Sequence, residues 1–382
     1  MKKICFVATV AETLQSFVLP LMEYLVENTD WEIAVICSED PEIRKWLPER
    51  VRYFPVQMKR GISLSGITAM RKMAAIFRKE KFDLVQYSTP NASLYASMAA
   101  KLTKIPVRLY CQWGIAYVGF RGLKRRLFKM IEKRVCRMST WIEPDSFGNL
   151  RFCQEEGLYT KEKSSVIWNG SACGVDLKKF DRNQKTRWRH DIRSASGIDE
   201  QAFVYGFVGR ITRDKGINEL FASAKKLLSE QKDAYLLLVG GVEKMETLDP
   251  DLYEWAKAES HVVFCEYSLV VEQYMAAMDV YILPSYREGF GSAVVEAEAM
   301  GVPVIVSNIP GPTDAMQADV TGLVVKKADP DSLYEAMLRM KQDEALRRSC
   351  AEASVKFATE RFERQKLFEH ILEDRKRLLG QH

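Results

Sequence analysis

Two glutamates, Glu288 and Glu296, stand with seven residues between them, and a Gly-Phe-Gly turn fills part of the gap. The apolar run VYIL precedes them. Ser292 followed by the helical pattern Ala293 to Met300 reads as an N-cap and a short helix stopped by Gly301. One carboxylate is therefore expected on a loop and the other in the first turns of a helix. Both should face whatever docks at that helix N-terminus. Gly289 and Gly291 let backbone N–H groups approach a ligand closely, and the helix dipole favours an anion. Carboxylates repel a phosphate, so these two serve hydroxyls. The ligand implied has a phosphate in the middle and polyols at each end, a description that a nucleotide-sugar fits.

A second constellation, Gly209-Arg210-Ile211-Thr212-Arg213-Asp214-Lys215-Gly216, follows the apolar run FVYGFV about 80 residues upstream. A glycine-flanked loop with Arg210 and Lys215 at a strand end suits a diphosphate. Arginine offers a planar fork and lysine a movable point charge, with Arg213 as a further cation. Taken singly, each pattern also describes a solvated turn. Their occurrence together in one half of the chain favours a site.

The elements that must position these residues alternate from end to end. Lys3 to Thr9, Trp31 to Cys37, Leu84 to Tyr87 and Val107 to Cys111 read as strands separated by helices. A second set runs through Phe203 to Val208, Tyr235 to Val239, His261 to Phe264, Val280 to Leu283 and Val302 to Val306. This is the βαβ rhythm of helix-covered parallel sheets, and it occurs twice around a polar, basic segment near Asp181 to Ser196. The expected fold is α/β, with two doubly wound Rossmann-like domains facing a cleft. A chain of 382 residues, 47% hydrophobic and 28% charged, is long enough for both. The expected boundaries are 1–180 and 181–360, with a terminal helical segment over 361–382.

Other classes fit less well. No apolar run reaches the ~18 residues of a membrane span, and the basic N-terminus reads as a first strand and not a signal peptide. The eight cysteines have no CxxC or metal-ligand spacing and read as buried free thiols in a reducing cytoplasm. Asp249-Pro-Asp251 and Asp329-Pro-Asp331 read as N-caps with a first-turn proline, so no metal is expected. The first strand is not followed by G-x-G-x-x-G, which argues against a dinucleotide-dependent dehydrogenase, and no cofactor is expected.

The string PSYREGFGSAVVEAEAMGVPVIVSNIPG resembles the paired-glutamate motif of the retaining GT-B glycosyltransferases of family four. The resemblance implies that 1–180 is an acceptor-side domain, 181–360 a nucleotide-sugar-binding domain and 361–382 a helix packing back on the first. It implies that Glu288 contacts the donor sugar and Glu296 the ribose. It also implies that the Gly289, Phe290, Gly291 and Ser292 stretch lies near the donor, and that Arg210 and Lys215 hold the diphosphate as it leaves. Val166 to Phe180 is similar to the family's interdomain segment, close to the subset that builds capsule and exopolysaccharide units, and places Asn169, Gly170 and Gly174 near the cleft. Cys265, Glu266 and Tyr267 fall where the base would bind, although the family often has glycine at the position of Glu266. Thr9 to Thr13 fall where the family's first loop meets phosphate and acceptor, giving Thr13 as a contact. Many relatives place a histidine where this chain reads Tyr110-Cys-Gln-Trp-Gly114. The first 180 residues contain no histidine, so Gln112 or Trp113 takes that place. Ser88 or Asn91 is a candidate for acceptor hydroxyls.

The resemblance implies transfer, with retention, of a sugar from a UDP-sugar to a glycan or lipid-diphosphate-linked acceptor in surface polysaccharide synthesis. An N-acetylhexosamine is the preferred sugar. The rivals are a nucleotide-sugar epimerase and a non-catalytic nucleotide-sugar-binding subunit.

Charge is uneven. Residues 1–180 carry 29 basic against 18 acidic side chains, and the remainder 27 against 33. The helical run Arg121 to Arg137 concentrates the surplus, with Leu127, Ile131 and Val135 expected as an apolar stripe packed on the domain. Lys59, Arg60, Arg71, Lys72, Arg78 and Lys79 add to it. A cytoplasmic protein resting on an anionic membrane surface is the expected consequence. Nucleic acid is a poor alternative, because no binding motif accompanies the charge.

Overall fold

The computed structural model describes residues 1–58 and 65–380, which leaves Lys59 and Arg60 outside the described residues. The chain divides into two compact units: Met1–Cys173 together with the chain from Gln365 onward, and Gly174–Arg364. The first contains β1 (Lys3–Val7), β2 (Glu32–Cys37), β3 (Arg52–Pro55), β4 (Leu84–Tyr87), β5 (Val107–Gln112) and β6 (Trp141–Pro144). These form one parallel sheet in the order β3-β2-β1-β4-β5-β6. The second contains β7 (Phe203–Val208), β8 (Ala234–Val239), β9 (Val262–Cys265), β10 (Val280–Leu283), β11 (Val304–Ser307) and β12 (Gly322–Val325). Its order, β12-β11-β10-β7-β8-β9, is the same doubly wound pattern counted from its own first strand. Each sheet reverses direction at its centre, between β1 and β4 and between β7 and β10.

The central strands are buried on both faces, which is why they read as unbroken apolar runs. On β1, Cys5 and Val7 face a core shared with the helices Ser65–Glu80, Pro90–Leu102 and Gly122–Met138. Ile4 and Phe6 face the opposite core, with the helices Leu19–Asn28 and Arg364–Leu378. Arg375 fixes that last helix to the sheet with two 2.7 Å bonds, one to each carboxylate oxygen of Glu143 on β6.

Three strands differ from the sequence reading. β3, β6 and β12 are four-residue strands, each at a sheet edge, and were not expected. The polar segment near Asp181 to Ser196 contains a helix, Lys185–Ala195. Its Arg193 is fully buried and donates to the carbonyls of Ala277, Glu200 and Ala202 and to Asp279. The final helical run is two helices, Glu344–Phe362 and Arg364–Leu378. All eight cysteines are free thiols, and all but the half-buried Cys265 are buried. Among the described residues no helix is long and apolar enough to cross a membrane.

Candidate active site

The two constellations stand on the loops that follow β7 and β10, the adjacent strands between which the second sheet reverses. Loops leave such a point toward opposite faces and open a crevice there. The structure brings Lys215 and Glu288 together across it, Nζ to Oε1 at 2.6 Å. The same oxygen accepts from Ser285 Oγ at 2.6 Å. Two further bonds clamp the loops: Tyr286 N donates to the Asp214 carbonyl at 2.8 Å, and Arg287 Nη2 pairs with Asp214 Oδ2 at 2.7 Å. Gly216, at φ 73°, lets the backbones touch. A Cβ there would stand 2.0 Å from the Pro284 carbonyl oxygen. Arg210 is on the same loop, but its guanidinium turns to Glu243 on the loop after β8, at 2.9 Å, with both side chains half exposed.

The helix after the glutamate loop is Ser292–Ala299. Its N-cap is Gly291 and not Ser292, because the chain enters through a left-handed residue at φ 90° that glycine alone adopts freely. No side chain caps this end, and Val294 N turns back to the Gly291 carbonyl at 2.8 Å. Gly301 ends the helix as expected: Val302 N reaches the Ala297 carbonyl at 3.0 Å and Gly301 N the Glu298 carbonyl at 2.9 Å. The Phe290 ring is buried against Phe362, with centroids 5.1 Å apart, so this residue offers only backbone to a ligand. Gly289 is pressed against the loop after β11, where a Cβ on Gly311 would lie 2.2 Å from its carbonyl oxygen.

Glu296 faces a charged neighbourhood. Burial raises its carboxyl above the usual range, Lys179 and Arg364 oppose the rise, and Glu272 adds to it. On β10, burial pushes the Tyr281 phenol far up, and Glu288 and Glu296 both push it further, so one buried ring feels both acids. Asp249 and Asp329 are side-chain N-caps of proline-led helices, as expected. Tyr267 stands 73% exposed on the loop after β9.

The first unit has a matching switch point between β1 and β4. There Thr9 and Thr89 hydroxyls meet at 2.7 Å, and Ala92 N donates to Thr9 at 3.3 Å. Thr89 holds φ 65°, a strained value for a β-branched residue. Thr13 is half-buried in the short helix Ala11–Thr13. Gln112 does not take the place proposed for it. It is fully buried, donating to Glu132 at 2.5 Å and accepting from Tyr159 at 2.9 Å. Trp113 is half-buried, packs on Phe17 at 5.7 Å, and borders a cavity of about 30 Å³ with Cys111, Glu143 and Arg375. Ser88 is buried. Asn169 is half-buried among left-handed residues, Trp168 at φ 48°, Gly170 at 96° and Ser171 at 78°. The helix Arg364–Leu378 brings a histidine to this unit: His370 stacks on Trp168, with centroids 5.4 Å apart.

Two family models match in tandem. Residues 3–145 match the glycosyl transferase 4-like family, and residues 189–357 match the glycosyl transferases group 1 family. The chain belongs to the family-four glycosyltransferases. It is 29% identical over 376 residues to the capsular polysaccharide biosynthesis glycosyltransferase CapM of Staphylococcus aureus, covering 97% of this chain and 96% of that one. It is 28% identical over 333 residues to an Escherichia coli UDP-Gal:α-D-GlcNAc-diphosphoundecaprenol α-1,3-galactosyltransferase, covering 84% and 83%. Among solved structures, Anabaena HepE in complex with UDP-glucose superposes with a TM-score of 0.78 at 18% identity, covering 99% of this chain and 100% of that one. That likeness shows the GT-B fold.

In this glycosyltransferase the sequence isolated Lys215 and Glu288 but not the residues that bring them together. Asp214 and Arg287 look like ordinary surface charges until the strand order puts them side by side. Lys179 and Arg364, which act on Glu296, come from the two ends of the second unit and carry no local signal.

Proposed function

We propose that this glycosyltransferase moves a sugar, with retention, from a UDP-sugar to a lipid-diphosphate-linked saccharide during surface polysaccharide synthesis at the cytoplasmic face of a membrane. The observation that carries the proposal is the Lys215–Glu288 pair at the switch point of the second sheet. A cation and an acid held in contact there can divide on binding, the ammonium to a phosphate and the carboxylate to a sugar hydroxyl. In this reading Lys215 holds the diphosphate and Arg210 leaves Glu243 to join it. Glu288 takes sugar hydroxyls and Glu296 the ribose. The backbone of Gly289, Phe290, Gly291 and Ser292 lines the donor, and Tyr267 lies against the base. Thr13, Trp113 and Asn169 belong to the acceptor side. The E. coli relative's name favours an undecaprenol-type acceptor, and its galactose joins the N-acetylhexosamine of the family resemblance as the two donors in contention.

The reaction needs no protein nucleophile. The bond from the anomeric carbon to the diphosphate oxygen breaks, and its electron pair stays with the phosphate beside Lys215 and Arg210. The acceptor oxygen bonds to the anomeric carbon from that same face, and its proton passes to the departing phosphate oxygen. The cations stabilise the charge that develops on the leaving group, usually a large share of catalysis.

Saturation-transfer NMR against a panel of nucleotide-sugars, followed by mass spectrometry of a lipid-diphosphate disaccharide product, tests this. Selective binding of one UDP-sugar, lost in Glu288→Ala and Lys215→Ala, with product formed only when acceptor is present, is the expected result. Donor conversion without acceptor would favour the epimerase. Binding indifferent to both substitutions would overturn the site.

A further inference from the structure

We propose that the outer face of the helix Gly122–Met138 is a docking surface for an anionic lipid bilayer. The inference rests on the lipid-linked-acceptor reading for its purpose, and the geometry that carries it is independent. The sequence reading placed Leu127 in an inward stripe with Ile131 and Val135. Only Val135 is buried. The helix is held to the sheet by a different, largely polar face. Glu132 accepts from Tyr110 at 2.8 Å and from Gln112 at 2.5 Å, while Arg125 and Lys129 pair with Glu156 at 3.2 and 2.6 Å. Glu132, Val135 and Cys136 are buried beneath.

That arrangement rotates the apolar residues outward. Leu123 is 81% exposed, Leu127 46% and Met130 55%. At 100° per residue these three and Arg134 fall within an arc of roughly 60°, nearly opposite Glu132. Arg126, Lys133 and Arg137 flank the arc on one side. None of these four cations pairs with a carboxylate among the described residues, and the helix's single acid is the buried Glu132. Ile67 on Ser65–Glu80 and Met98 and Leu102 on Pro90–Leu102 are also exposed, by 40 to 60%.

An apolar wedge edged by unpaired cations, on a helix already fixed by its other face, matches a bilayer surface. The wedge enters the acyl boundary and the cations meet anionic headgroups. A second copy of the chain fits poorly, because a two-fold contact would bring the same cations against one another. Docking here would hold the first unit at the surface from which a lipid-diphosphate acceptor is presented.

The test is cosedimentation of the full chain with vesicles of phosphatidylcholine containing about a third phosphatidylglycerol, with pure phosphatidylcholine as control. Wild type is expected to bind the anionic vesicles and to be released by salt. Arg126→Gln/Arg134→Gln/Arg137→Gln should lower partitioning roughly a hundredfold, about fivefold per cation. Leu123→Ser/Leu127→Ser/Met130→Ser should lower it roughly tenfold or more. UDP-sugar affinity should be unchanged in both variants. Equal binding to neutral vesicles, no binding by wild type, or variants that sediment like wild type would overturn the proposal. So would a concentration-dependent dimer that only the serine variant loses. Sedimentation that follows prediction while no nucleotide-sugar binds would leave the docking surface standing and remove the transferase assignment of the site.

Discussion

Gly216→Ala separates the loop contact from every other feature of the site. A methyl at this position would lie 2.0 Å from the Pro284 carbonyl oxygen, whereas ordinary carbon–oxygen contacts begin at about 3.3 Å. Both partners are backbone, so no side chain can rotate away, and the loops after β7 and β10 must part by more than about 1 Å. That would carry the 2.6 Å Lys215–Glu288 bond beyond hydrogen-bonding distance. A displacement of this size in a catalytic constellation costs on the order of a hundredfold in turnover. The left-handed backbone adds a penalty of about 1–2 kcal/mol. Gly197→Ala is the control. Gly197 has φ +66° but nothing within 4 Å of a Cβ, so it shares the backbone penalty and not the clash. Thermal unfolding should show Gly216→Ala less stable than the control by about 1–3 kcal/mol, as for other overpacked sites. UDP-sugar titration should show at least a tenfold weaker complex, and transfer assays the larger turnover loss. If Gly216→Ala binds donor and turns over within about threefold of Gly197→Ala, the loop contact does not set the site, and the argument from Lys215 and Glu288 fails with it.

Three other predictions follow from named contacts. Asp214→Asn should cost stability by about 1 kcal/mol or less, because the Arg287 pair is partly solvated. It should weaken transfer by roughly tenfold. The Asp214→Arg/Arg287→Asp exchange should recover part of that loss, and a double-mutant cycle with no coupling would refute the clamp. Arg193→Met should lower unfolding free energy in urea by about 3 kcal/mol, since it takes a donor from four carbonyls, those of Ala277, Asp199, Glu200 and Ala202, while Asp279 keeps Arg189 and the Val204 amide. Unchanged stability would refute the reading of Arg193 as the peg of its helix. Burial raises the Glu296 carboxyl, so the folded chain holds this proton to higher pH than the unfolded chain does. Below about pH 4 both are protonated and nothing is lost. As pH rises further the unfolded state ionises first, and folded stability falls. Glu296→Gln should therefore melt above wild type near neutral pH and lose that advantage in acid, while binding UDP-sugar more weakly. A variant that gains equally at both pH values would refute the burial argument.

What the sequence disclosed and what it hid divide along physical lines. Central strands such as VYIL and FVYGFV were legible because burial on both faces demands unbroken apolar runs. β3, RYFP, and β6, WIEP, were not, because an edge strand carries charge and proline to discourage further pairing. β12, GLVV, begins with a glycine whose Cβ would lie 1.9 Å from the Val304 carbonyl oxygen, and such a close approach leaves no mark in a pattern of apolar residues. Arg193 and Glu132 were hidden for another reason. A charged residue reads as solvent-facing, and only the acceptors or donors that bury it reverse that, among them Ala277 and Asp279, 84 and 86 residues from Arg193.

The candidate site was legible because chemistry and topology coincide there. Lys215 and Glu288 are 73 residues apart, and only the insertion of β10 beside β7 makes them neighbours. The same strand order in the first unit joins the loops after β1 and β4 and brings Thr9 to Thr89 across 80 residues. One rule therefore acts twice, but the sequence betrayed only one result. A lysine and a glutamate framed by glycines imply a ligand, whereas two threonines look like any other loop residues. The strained φ of Thr89 marks its switch point in the structure alone. In a doubly wound chain, the loops after the first and fourth strands of each sheet should be compared whatever residues they carry, because the topology brings them together before the chemistry is chosen.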